Sequence, residues 1–433
     1  MTHLVQPTRI LIVGGGGREH ALAWKLAAEP GVNEVLVVPG SDAIGREPRV
    51  RVDPAVDPLD PAAVVVAARR FAAELVVVGP EAPLAAGVAD ALTEAGFAVF
   101  GPSAAAARIE SSKTFCREIA EAAGVPMARG RAFGRTDPSA ALAYAMGLAA
   151  DGAVVVKADG LAAGKGVTVC DGLDEAAAAI AAQPDDIVVE ERLAGPEASV
   201  IAICDGRRAI ALPISRDHKR LLDGDGGPNT GGMGAYSPLA DLADDQTEAL
   251  LDAFHRPVLA ELARRGSPFR GALYAGLMLT DDGPRLLEFN ARFGDPETQA
   301  ILPRLASPLG PVLLAAARGA LPAGLTLATI AGAAVGIVLA AAGYPANPAP
   351  GDQIDGIDAA IASGALVFHA ATQGADDGWR TAGGRVLTVV GRGPDLTTAR
   401  ETAERAADRI SWPGMQRRHD IGVATPEPAG AVR

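Results

Sequence analysis

The 433-residue chain is too long for one ordinary hydrophobic core, so two to four domains are expected. Hydrophobic residues make up 49% and charged residues 21%, the balance of a globular protein. The net charge of −13 argues against a nucleic-acid partner, because a nucleic-acid backbone requires a basic surface.

The cysteine pattern and the N-terminus favour a cytoplasmic protein. Cys116, Cys170 and Cys204 are scattered and form no CxxC pair, as expected of reduced thiols. No charged-plus-apolar signal precedes the first strand. The uncharged stretch 325–344 is long enough for a membrane span, but its Ala, Gly and Thr content favours a loop and a buried strand. We therefore expect no membrane partner, and a monomer.

The first predicted element is a buried strand at residues 9–13 that runs into a glycine turn and a helix. Glycines let the backbone approach a ligand, so Gly15, Gly16 and Gly17, with Glu19 beside them, suit a phosphate at the helix N-terminus. The spacing departs from G-x-G-x-x-G, which favours a mononucleotide-sized phosphate over NAD. A merely tight strand–helix turn is the alternative.

Two charged residues stand at the ends of the next elements. Glu81 follows the strand at 75–78, where open α/β sheets bind ligands, and it would either accept two ribose hydroxyls or cap a helix. Lys113 opens a helix, where the helix dipole disfavours a cation. An anion would explain this lysine, and a solvated side chain is the alternative.

A strand at 153–157 ends at Lys157 and leads into a turn of small residues that contains Gly164, Lys165 and Gly166. Small residues allow a mobile lid over phosphates, and the two lysines supply positive charge. The turn is not a Walker A loop, because its spacing is one residue short.

The strand at 186–193 runs into a connector at Leu193, and another strand begins near Glu197. Free backbone groups at a strand end can read an adenine edge, with Glu190 accepting from the exocyclic amine. Glu197 can accept the ribose hydroxyls.

A glycine-dense loop follows between residues 217 and 236. It starts at Asp217 and Lys219 and continues through Asn229 and Gly232. Long loops in compact domains are functional or disordered, and the mixture of polar residues and apolar anchors favours function. We expect this loop to lie outside the core.

The next polar pattern is Glu288 and Asn290 on a strand. Residues two apart share a face, so both point away from Leu287 and Phe289. An acid and an amide supply oxygen ligands of the kind that Mg²⁺ takes together with water and phosphate. A solvated edge strand is the alternative. Arg292, Asp295 and Glu297 follow in a Gly-Pro-containing loop, where a substrate could meet them.

These features occur in the order of the ATP-grasp ligases, and the longer strings resemble one family among them, glycinamide ribonucleotide synthetase. The resemblance spans residues 9 to 421. The strings that carry it are GGGGREHALAW, VVGPEAPL, GPSAAAARIESSK, KADGLAAGKGV, DHKR, GPNTGGMGAYSP, YAGLM and EFNARFGDPETQ.

The resemblance implies ATP-dependent joining of glycine to 5-phosphoribosylamine, an early step of purine biosynthesis. The glycine carboxylate would attack the γ-phosphate of ATP to give glycyl phosphate, and the amine would then displace phosphate. Because the first step brings two anions together, charge neutralisation and positioning should carry most of the catalysis.

The resemblance also implies roles for individual residues. Mg²⁺ or Mn²⁺ on Glu288 and Asn290 would bridge phosphate oxygens. Arg292 would stabilise the transferring or acyl phosphate, and Asp217 would hold the glycine ammonium. The other implied site residues are Lys219 and Asp295 near the reacting groups, Lys113, Lys157, Gly164, Lys165, Gly166, Glu190, Leu193 and Glu197 for ATP, and Gly15, Gly16, Gly17, Glu19, Glu81, Asn229, Gly232 and Gly294 for the other substrates.

The implied architecture is α/β and α+β, and multidomain. A Rossmann-like N-terminal domain at 1–110 would hold phosphoribosylamine, an ATP-grasp core at 111–324 would carry a mobile lid at about 130–193, and a small C-terminal α/β domain would follow at 325–433. The strand before the Glu288 strand, YAGLM, lacks the acidic residue that many ATP-grasp ligases have there. A metal site with fewer protein ligands is therefore expected.

Three rival functions explain fewer residues. A nicotinamide-dependent oxidoreductase would use the glycine turn but leaves the lid and the Glu288 strand unexplained. A non-catalytic nucleotide-binding regulator has no reason to keep Asp217, Arg292 and Asp295 near the phosphates. A carboxylating ATP-grasp enzyme would bind bicarbonate, which has no ammonium group for Asp217 to hold.

Overall fold

The computed structural model describes residues 4–150, 152–161, 166–242 and 246–423. Within these residues, no helix is both long and apolar enough to cross a membrane. Cys116, Cys170 and Cys204 are free and buried, as the scattered cysteine pattern predicts.

The first part of the chain forms a parallel sheet flanked by helices, which agrees with the Rossmann-like prediction. The strand order is β3-β2-β1-β4-β5. Apolar runs such as RILIVG are buried because helices cover both faces of a parallel sheet. Its elements are β1 (Arg9–Gly14), α1 (Gly17–Ala27), β2 (Glu34–Pro39), β3 (Val50–Val52), α2 (Pro61–Phe71), β4 (Leu75–Val78), α3 (Glu81–Ala85), α4 (Val88–Glu94), β5 (Val99–Phe100) and α5 (Ala104–Ser111).

The middle part contains two four-stranded antiparallel sheets. Its elements are α6 (Lys113–Ala122), β6 (Gly130–Phe133), α7 (Pro138–Ala149), β7 (Val154–Ala158), β8 (Val167–Cys170), α8 (Leu173–Ala181), β9 (Ile187–Glu191), β10 (Glu197–Asp205), β11 (Ala209–Ala211), β12 (Arg216–Asp217), β13 (Arg220–Leu222), β14 (Gly226–Asn229), β15 (Gly234–Ser237), α9 (Thr247–Leu250), α10 (Arg256–Arg264), β16 (Arg270–Thr280), β17 (Gly283–Asn290), α11 (Glu297–Ile301) and α12 (Gly310–Ala317). One sheet has the order β6-β9-β7-β8 and the other β11-β10-β16-β17. The first of these sheets packs with α7 and α8 around a separate core that includes Phe133, Val156 and Ile180.

The last part of the chain completes a sheet that the middle part begins. Its elements are β18 (Ala333–Ala340), β19 (Gln353–Ile354), α13 (Ile357–Ala362), β20 (Leu366–His369), β21 (Thr372–Ala375), β22 (Gly378–Thr381), β23 (Arg385–Gly393) and α14 (Leu396–Ala407). The sheet order is β12-β15-β18-β23-β20, so β15 of the middle part pairs directly with β18. All eight residues of β18 are buried, as predicted for the uncharged stretch. The domain boundary near residue 325 stays a prediction, and hydrogen bonds of this sheet cross it.

The glycine-dense loop departs from the expectation that it lies outside the core. Its first half forms the small hairpin β13–β14, and its second half ends in β15, which is buried throughout. Met233 is fully buried as well. Glycine permits this because a Cβ at Gly234 would lie 2.6 Å from the Gly336 carbonyl oxygen of the neighbouring strand.

The strand β17 contains a bulge that the simple alternation did not predict. Glu288 lies opposite Gly276, but Leu286 lies opposite Leu277, so Leu287 is the extra residue. Leu286 and Phe289 are therefore both buried, although they are three residues apart, and Leu287 is partly exposed. The expectation that Leu287 shares the buried face of Phe289 is wrong for this reason.

Candidate active site

Three predicted site residues meet where β10 and β17 pass the β12–β13 segment. The Lys219 Nζ lies 2.9 Å from Glu197 Oε2 and 3.5 Å from Glu288 Oε1. The backbone of Lys219 is fixed in turn, since its carbonyl accepts from the backbone N–H and the side-chain hydroxyl of Thr230. One ammonium group thus bridges two carboxylates that are far apart in sequence.

Glu288 stands in the field of several cations. Burial alone would raise the pKa of its carboxyl, but Lys219, Lys157 and Lys113 together lower it. For Lys219, burial acts to lower the pKa, and Glu197 and Glu288 raise it well above its usual value. At neutral pH the site therefore holds an ionised carboxylate surrounded by ammonium groups.

Lys157, near the end of β7, connects the β6-β9-β7-β8 sheet to β17. Its Nζ donates to the Leu287 carbonyl at 3.0 Å, which the bulge presents, and pairs with Glu190 Oε2 at 2.5 Å. Glu190 is buried and its second oxygen pairs with Arg117 Nη2 at 2.7 Å. Adenine would have to compete with these two cations for Glu190, so the adenine role stays a prediction.

Lys113 begins helix α6, as predicted. A carboxylate of the protein itself offsets the unfavourable position of this cation at the helix N-terminus. The Asp159 carboxylate accepts from the Lys113 backbone N–H at 2.5 Å and from the Ser112 hydroxyl at 3.1 Å. The Lys113 Nζ donates to the Gly160 carbonyl at 2.9 Å, and burial lowers its pKa. This lysine therefore lies at the base of the lid turn.

Part of the predicted lid turn lies outside the described residues, namely Gly164 and Lys165. Gly166 is described, and its carbonyl accepts from the Ala158 backbone N–H at 2.7 Å, which closes the hairpin β7–β8. Leu193 is half-buried in the connector between β9 and β10. These ATP contacts stay predictions.

Asp217 lies in a cluster of oxygen atoms on the other side of Lys219. The Ser199 hydroxyl is 3.5 Å from Asp217 Oδ1, 3.0 Å from the Tyr274 hydroxyl and 3.2 Å from Glu297 Oε1. Burial raises the pKa of Asp217 to about 8, with Lys219 opposing the shift and Glu297 adding to it. Two carboxyl groups and two hydroxyls facing one space form a site that an ammonium group would satisfy.

Arg292 links the end of β17 to the first part of the chain. Its Nε donates to Glu81 Oε2 at 3.0 Å, and its Nη2 pairs with Glu110 Oε1 at 2.9 Å. Burial acts to lower the pKa of Arg292, but Glu110 and Glu81 outweigh burial and raise this pKa above its usual value. Glu81 thus lies at the carboxyl edge of the parallel sheet, as predicted, with a guanidinium as its present partner.

The glycine turn between β1 and α1 is tight, and its donors are partly used. A Cβ at Gly15 would lie 2.6 Å from the Gly40 carbonyl oxygen, and one at Gly17 would lie 2.9 Å from Gln299 Nε2. The Gly16 N–H donates to Glu19 Oε2 at 2.8 Å. A phosphate would compete with this carboxylate, so the phosphate role of the turn stays a prediction.

The other predicted residues lie in the loop after β17 and in the glycine-dense loop that ends in β15. Asp295 Oδ1 accepts from Gln299 Nε2 at 2.8 Å, and its Oδ2 lies 3.4 Å from Arg385. Gly294 leaves room for Glu297, and Gly232, at φ +110°, packs against Pro296. Asn229 is half-buried in β14 opposite Arg220.

Sequence reasoning missed several residues that hold these groups in place. Arg117 and Glu110 are the main cases, since each anchors a predicted site residue from a buried helix face. Glu190 lies 73 positions beyond Arg117, and no local pattern signals such a pair. Glu297 is not among the missed residues, because it lies in the Gly-Pro-containing loop that the sequence predicts to meet a substrate. Ser199 and Tyr274 look like ordinary strand residues.

Comparison with known proteins finds relatives that extend over almost the whole chain. Sequence models of phosphoribosylglycinamide synthetase match the N domain at residues 8–110, the ATP-grasp (A) domain at 111–298 and the C domain at 334–424. A phosphoribosylamine–glycine ligase of Streptomyces coelicolor is 50% identical over 419 residues, which cover 96% of this chain and 99% of the relative. A trifunctional purine biosynthetic protein of Gallus gallus is 44% identical, covering 96% of this chain and 42% of that protein.

Solved structures show the same relationship. The phosphoribosylamine–glycine ligase of Thermotoga maritima superposes with a TM-score of 0.76 at 32% identity and covers 95% of this chain and 99% of its own. A biotin carboxylase domain from Hydrogenobacter thermophilus gives a TM-score of 0.70 at 16% identity, with 95% and 92% coverage, which shows a shared fold alone. The multidomain architecture with an ATP-grasp core is thus confirmed, and the chain belongs to the phosphoribosylglycinamide synthetase family.

Proposed function

We propose that this protein joins glycine to 5-phosphoribosylamine at the expense of ATP, giving glycinamide ribonucleotide, ADP and phosphate in de novo purine biosynthesis. The observation that carries the proposal is the Glu288 carboxylate, which lies 3.5 Å from Lys219 Nζ and has its pKa lowered by Lys157 and Lys113 as well. Together with family membership, this arrangement suits a reaction in which one anion attacks another.

A divalent cation fits the pair Glu288 and Asn290. They offer a carboxylate and an amide oxygen at the end of β17, opposite Gly276 and Tyr274. In the described part of the chain, no group of three or more His, Cys, Asp or Glu side chains could hold a metal, so water and phosphate must complete the shell. When bound, the ion neutralises charge on the phosphate oxygens.

In the first half-reaction a glycine carboxylate oxygen forms a bond to the γ-phosphorus of ATP, and the bond from that phosphorus to ADP breaks. Lys113 and Lys157 bind the nucleotide phosphates, and Lys219 offsets the charge of the attacking carboxylate. The cluster of Asp217, Ser199 and Glu297 holds the glycine ammonium. Arrival of that ammonium favours the ionised form of Asp217, because an opposite charge lowers a carboxyl pKa.

In the second half-reaction the amine nitrogen of phosphoribosylamine attacks the carbonyl carbon of glycyl phosphate. The bond from that carbon to the phosphate oxygen breaks, phosphate leaves and the amine loses a proton. Arg292 stabilises the phosphate both while it is transferred to glycine and when it departs, and Glu81 binds the ribose at the carboxyl edge of the parallel sheet. Both nucleophiles belong to substrates, so the protein binds, orients and excludes water.

The protein acts in the cytoplasm, where thiols such as its three free, buried cysteines stay reduced, and it acts as a monomer. Oxygen ligands accept Mg²⁺ and Mn²⁺ alike, so either ion serves. With a net charge of −13, nucleic acid is not a partner.

The test is phosphate release and amide formation with ATP, Mg²⁺, glycine and phosphoribosylamine generated in the same tube, omitting each component in turn. Amide formation that needs all four and is lost in Glu288→Ala is the expected result. No phosphate release despite ATP binding would contradict the ligase and favour the regulator. Carboxylated product from bicarbonate, with no need for glycine, would favour the carboxylating alternative.

A further inference from the structure

Arg292 is shared between two carboxylates that differ in their surroundings. Glu110 is buried, and both of its oxygens are engaged, one by Arg292 Nη2 and the other by the Ala291 backbone N–H at 2.7 Å. Arg292 Nη1 also donates to the Phe293 carbonyl at 3.1 Å. These contacts fix one end of the guanidinium regardless of Glu81.

Glu81 is the exchangeable partner. Its side chain is 34% exposed, compared with 8% for Glu110, and it begins the short helix α3 at the carboxyl edge of the parallel sheet. Its contact to Arg292 Nε spans 211 positions of the chain. A polar ligand can reach this partly exposed carboxylate and compete for it, although Arg292 itself is only 19% exposed.

The proposed function gives Glu81 a second partner. A ribose carries neighbouring hydroxyls, which bind both oxygens of one carboxylate and so compete with Arg292 Nε for Glu81. When the ribose displaces Arg292 from Glu81, the Arg292 Nε–H loses its acceptor. Glu110 still holds the other end of the guanidinium. Arg292 then has a donor available for the phosphate of glycyl phosphate.

We propose that Glu81 is a positioning residue that holds Arg292 back until phosphoribosylamine binds, and so couples the two half-reactions. The inference rests on the proposed function. Without the amine, Arg292 stays on Glu81, and phosphoryl transfer to glycine is slow. With the amine bound, Arg292 is released when a nucleophile is present to consume the acyl phosphate, and water does not attack its carbonyl carbon instead.

The experiment measures phosphate and glycinamide ribonucleotide separately, with and without the amine, in wild type and Glu81→Gln. Wild type should release one phosphate per amide and little phosphate without the amine. In Glu81→Gln the neutral amide holds Arg292 less tightly. Glycine-dependent phosphate release without the amine should therefore rise roughly twofold to fivefold, and the phosphate-to-amide ratio should exceed one.

The ratio separates positioning from structural damage, because a damaged site loses phosphate release and amide formation together. Glu81→Asp keeps the charge, but its side chain is one methylene shorter and its contact to Arg292 should weaken. It should therefore also release phosphate without the amine, and it replaces the glutamine variant if that variant is unstable. The exposed Glu94→Gln, in the same part of the chain, should behave as wild type. Unchanged ratios in both Glu81 variants, with only a higher KM for the amine, would overturn the coupling and leave the ligase standing. A wild type that makes no amide would overturn the proposed function itself.

Discussion

Lysine is rare in this chain and is concentrated at the candidate active site. Of the five lysines in the sequence, Lys113, Lys157, Lys165 and Lys219 belong to the predicted site, and Lys25 lies in α1. The compact, flexible ammonium of lysine follows a moving phosphate as a point charge, whereas the planar guanidinium of arginine binds carboxylates and phosphates through fixed pairs of donors. Arg117 and Arg292 fit the second pattern, since each is held by two carboxylates.

Lys219 gives the first prediction. In Lys219→Met, kcat should fall by on the order of 100-fold, because the charge of the attacking glycine carboxylate is no longer offset. Glu197 and Glu288 would also lose the ammonium between them. Steady-state kinetics with ATP and glycine varied in turn measure this loss. Lys219→Arg keeps the charge and should recover part of it; equal activity of wild type and the methionine variant would contradict the role.

Asp217 gives a prediction about pH. Its folded-state pKa is raised from 3.8 to about 8, so the unfolded chain releases this proton at lower pH than the folded chain. The stability of wild type should therefore fall as the pH rises from about 4 to about 8, by at most about 1.4 kcal/mol per pH unit from this group.

Asp217→Asn removes that titration and is the variant to compare. The Tm of Asp217→Asn relative to wild type should increase between pH 5 and pH 8. Asp185→Asn, at an exposed site, should show a constant difference over the same range. A pH-independent difference for Asp217→Asn would mean that Asp217 is ionised in the folded protein throughout.

At the scale of elements, the β1–α1 turn and the β17 bulge each place backbone groups that side chains alone could not place. The turn brings the start of α1 against Gly40, and the bulge turns the Leu287 carbonyl toward Lys157. Both depend on backbone geometry, so substitutions that change the backbone are the sharper test there.

Gly15→Ala is predicted to damage the first of these elements. The new Cβ would lie 2.6 Å from the Gly40 carbonyl oxygen, and the backbone must move to relieve the overlap. Stability should fall by about 1–3 kcal/mol, and the KM for the amine should rise. Gly147→Ala is the matched control, since a Cβ at this position of α7 meets open space and should stabilise by about 0.5–1 kcal/mol. Denaturant unfolding and amine titration measure both effects, and a neutral Gly15→Ala would contradict the close approach.

At the scale of the whole molecule, the last part of the chain helps to build the site. Strands β12 and β15 flank Lys219 and the hairpin β13–β14 along the chain. In the sheet, β15 pairs with β18, and β18 pairs with β23. Arg418, only 1% exposed, adds a second link, because it pairs with Asp225 at 2.7 Å and Asp420 at 2.6 Å and donates to the Arg220 carbonyl at 3.2 Å. The hairpin β13–β14, which follows Lys219 directly, is thus anchored to the last described residues of the chain.

Arg418→Met should consequently destabilise the protein and lower activity at a distance. Removing one partner of a buried ion pair costs about 3–5 kcal/mol, and the exposure of Asp225 reduces this to about 2–3 kcal/mol here. Urea unfolding gives the stability, and the KM for glycine reports on the hairpin. Arg409→Met, at an exposed position beyond α14, should change neither. Loss of stability with an unaltered KM for glycine would mean that the Arg418 ion pairs stabilise the fold without positioning the active site.

The sequence alone determined the features that depend on short-range pattern. Period-two alternation and apolar runs predicted β1, β4, β17 and β18, and the polar face of Glu288 and Asn290 followed from the same rule. Long, specific strings identified the family, since each combines turn glycines, charges and apolar anchors in an order that chance does not produce.

Only the tertiary structure decided which groups meet. The partners Arg117–Glu190, Arg292–Glu110 and Lys219–Glu197 come from separate elements, and their pairing depends on how sheets and helices pack. The bulge at Leu287 and the sheet that joins β15 to β18 are likewise set by neighbouring strands. Local propensity acts over a few residues, whereas burial and charge pairing act between any residues that folding brings together.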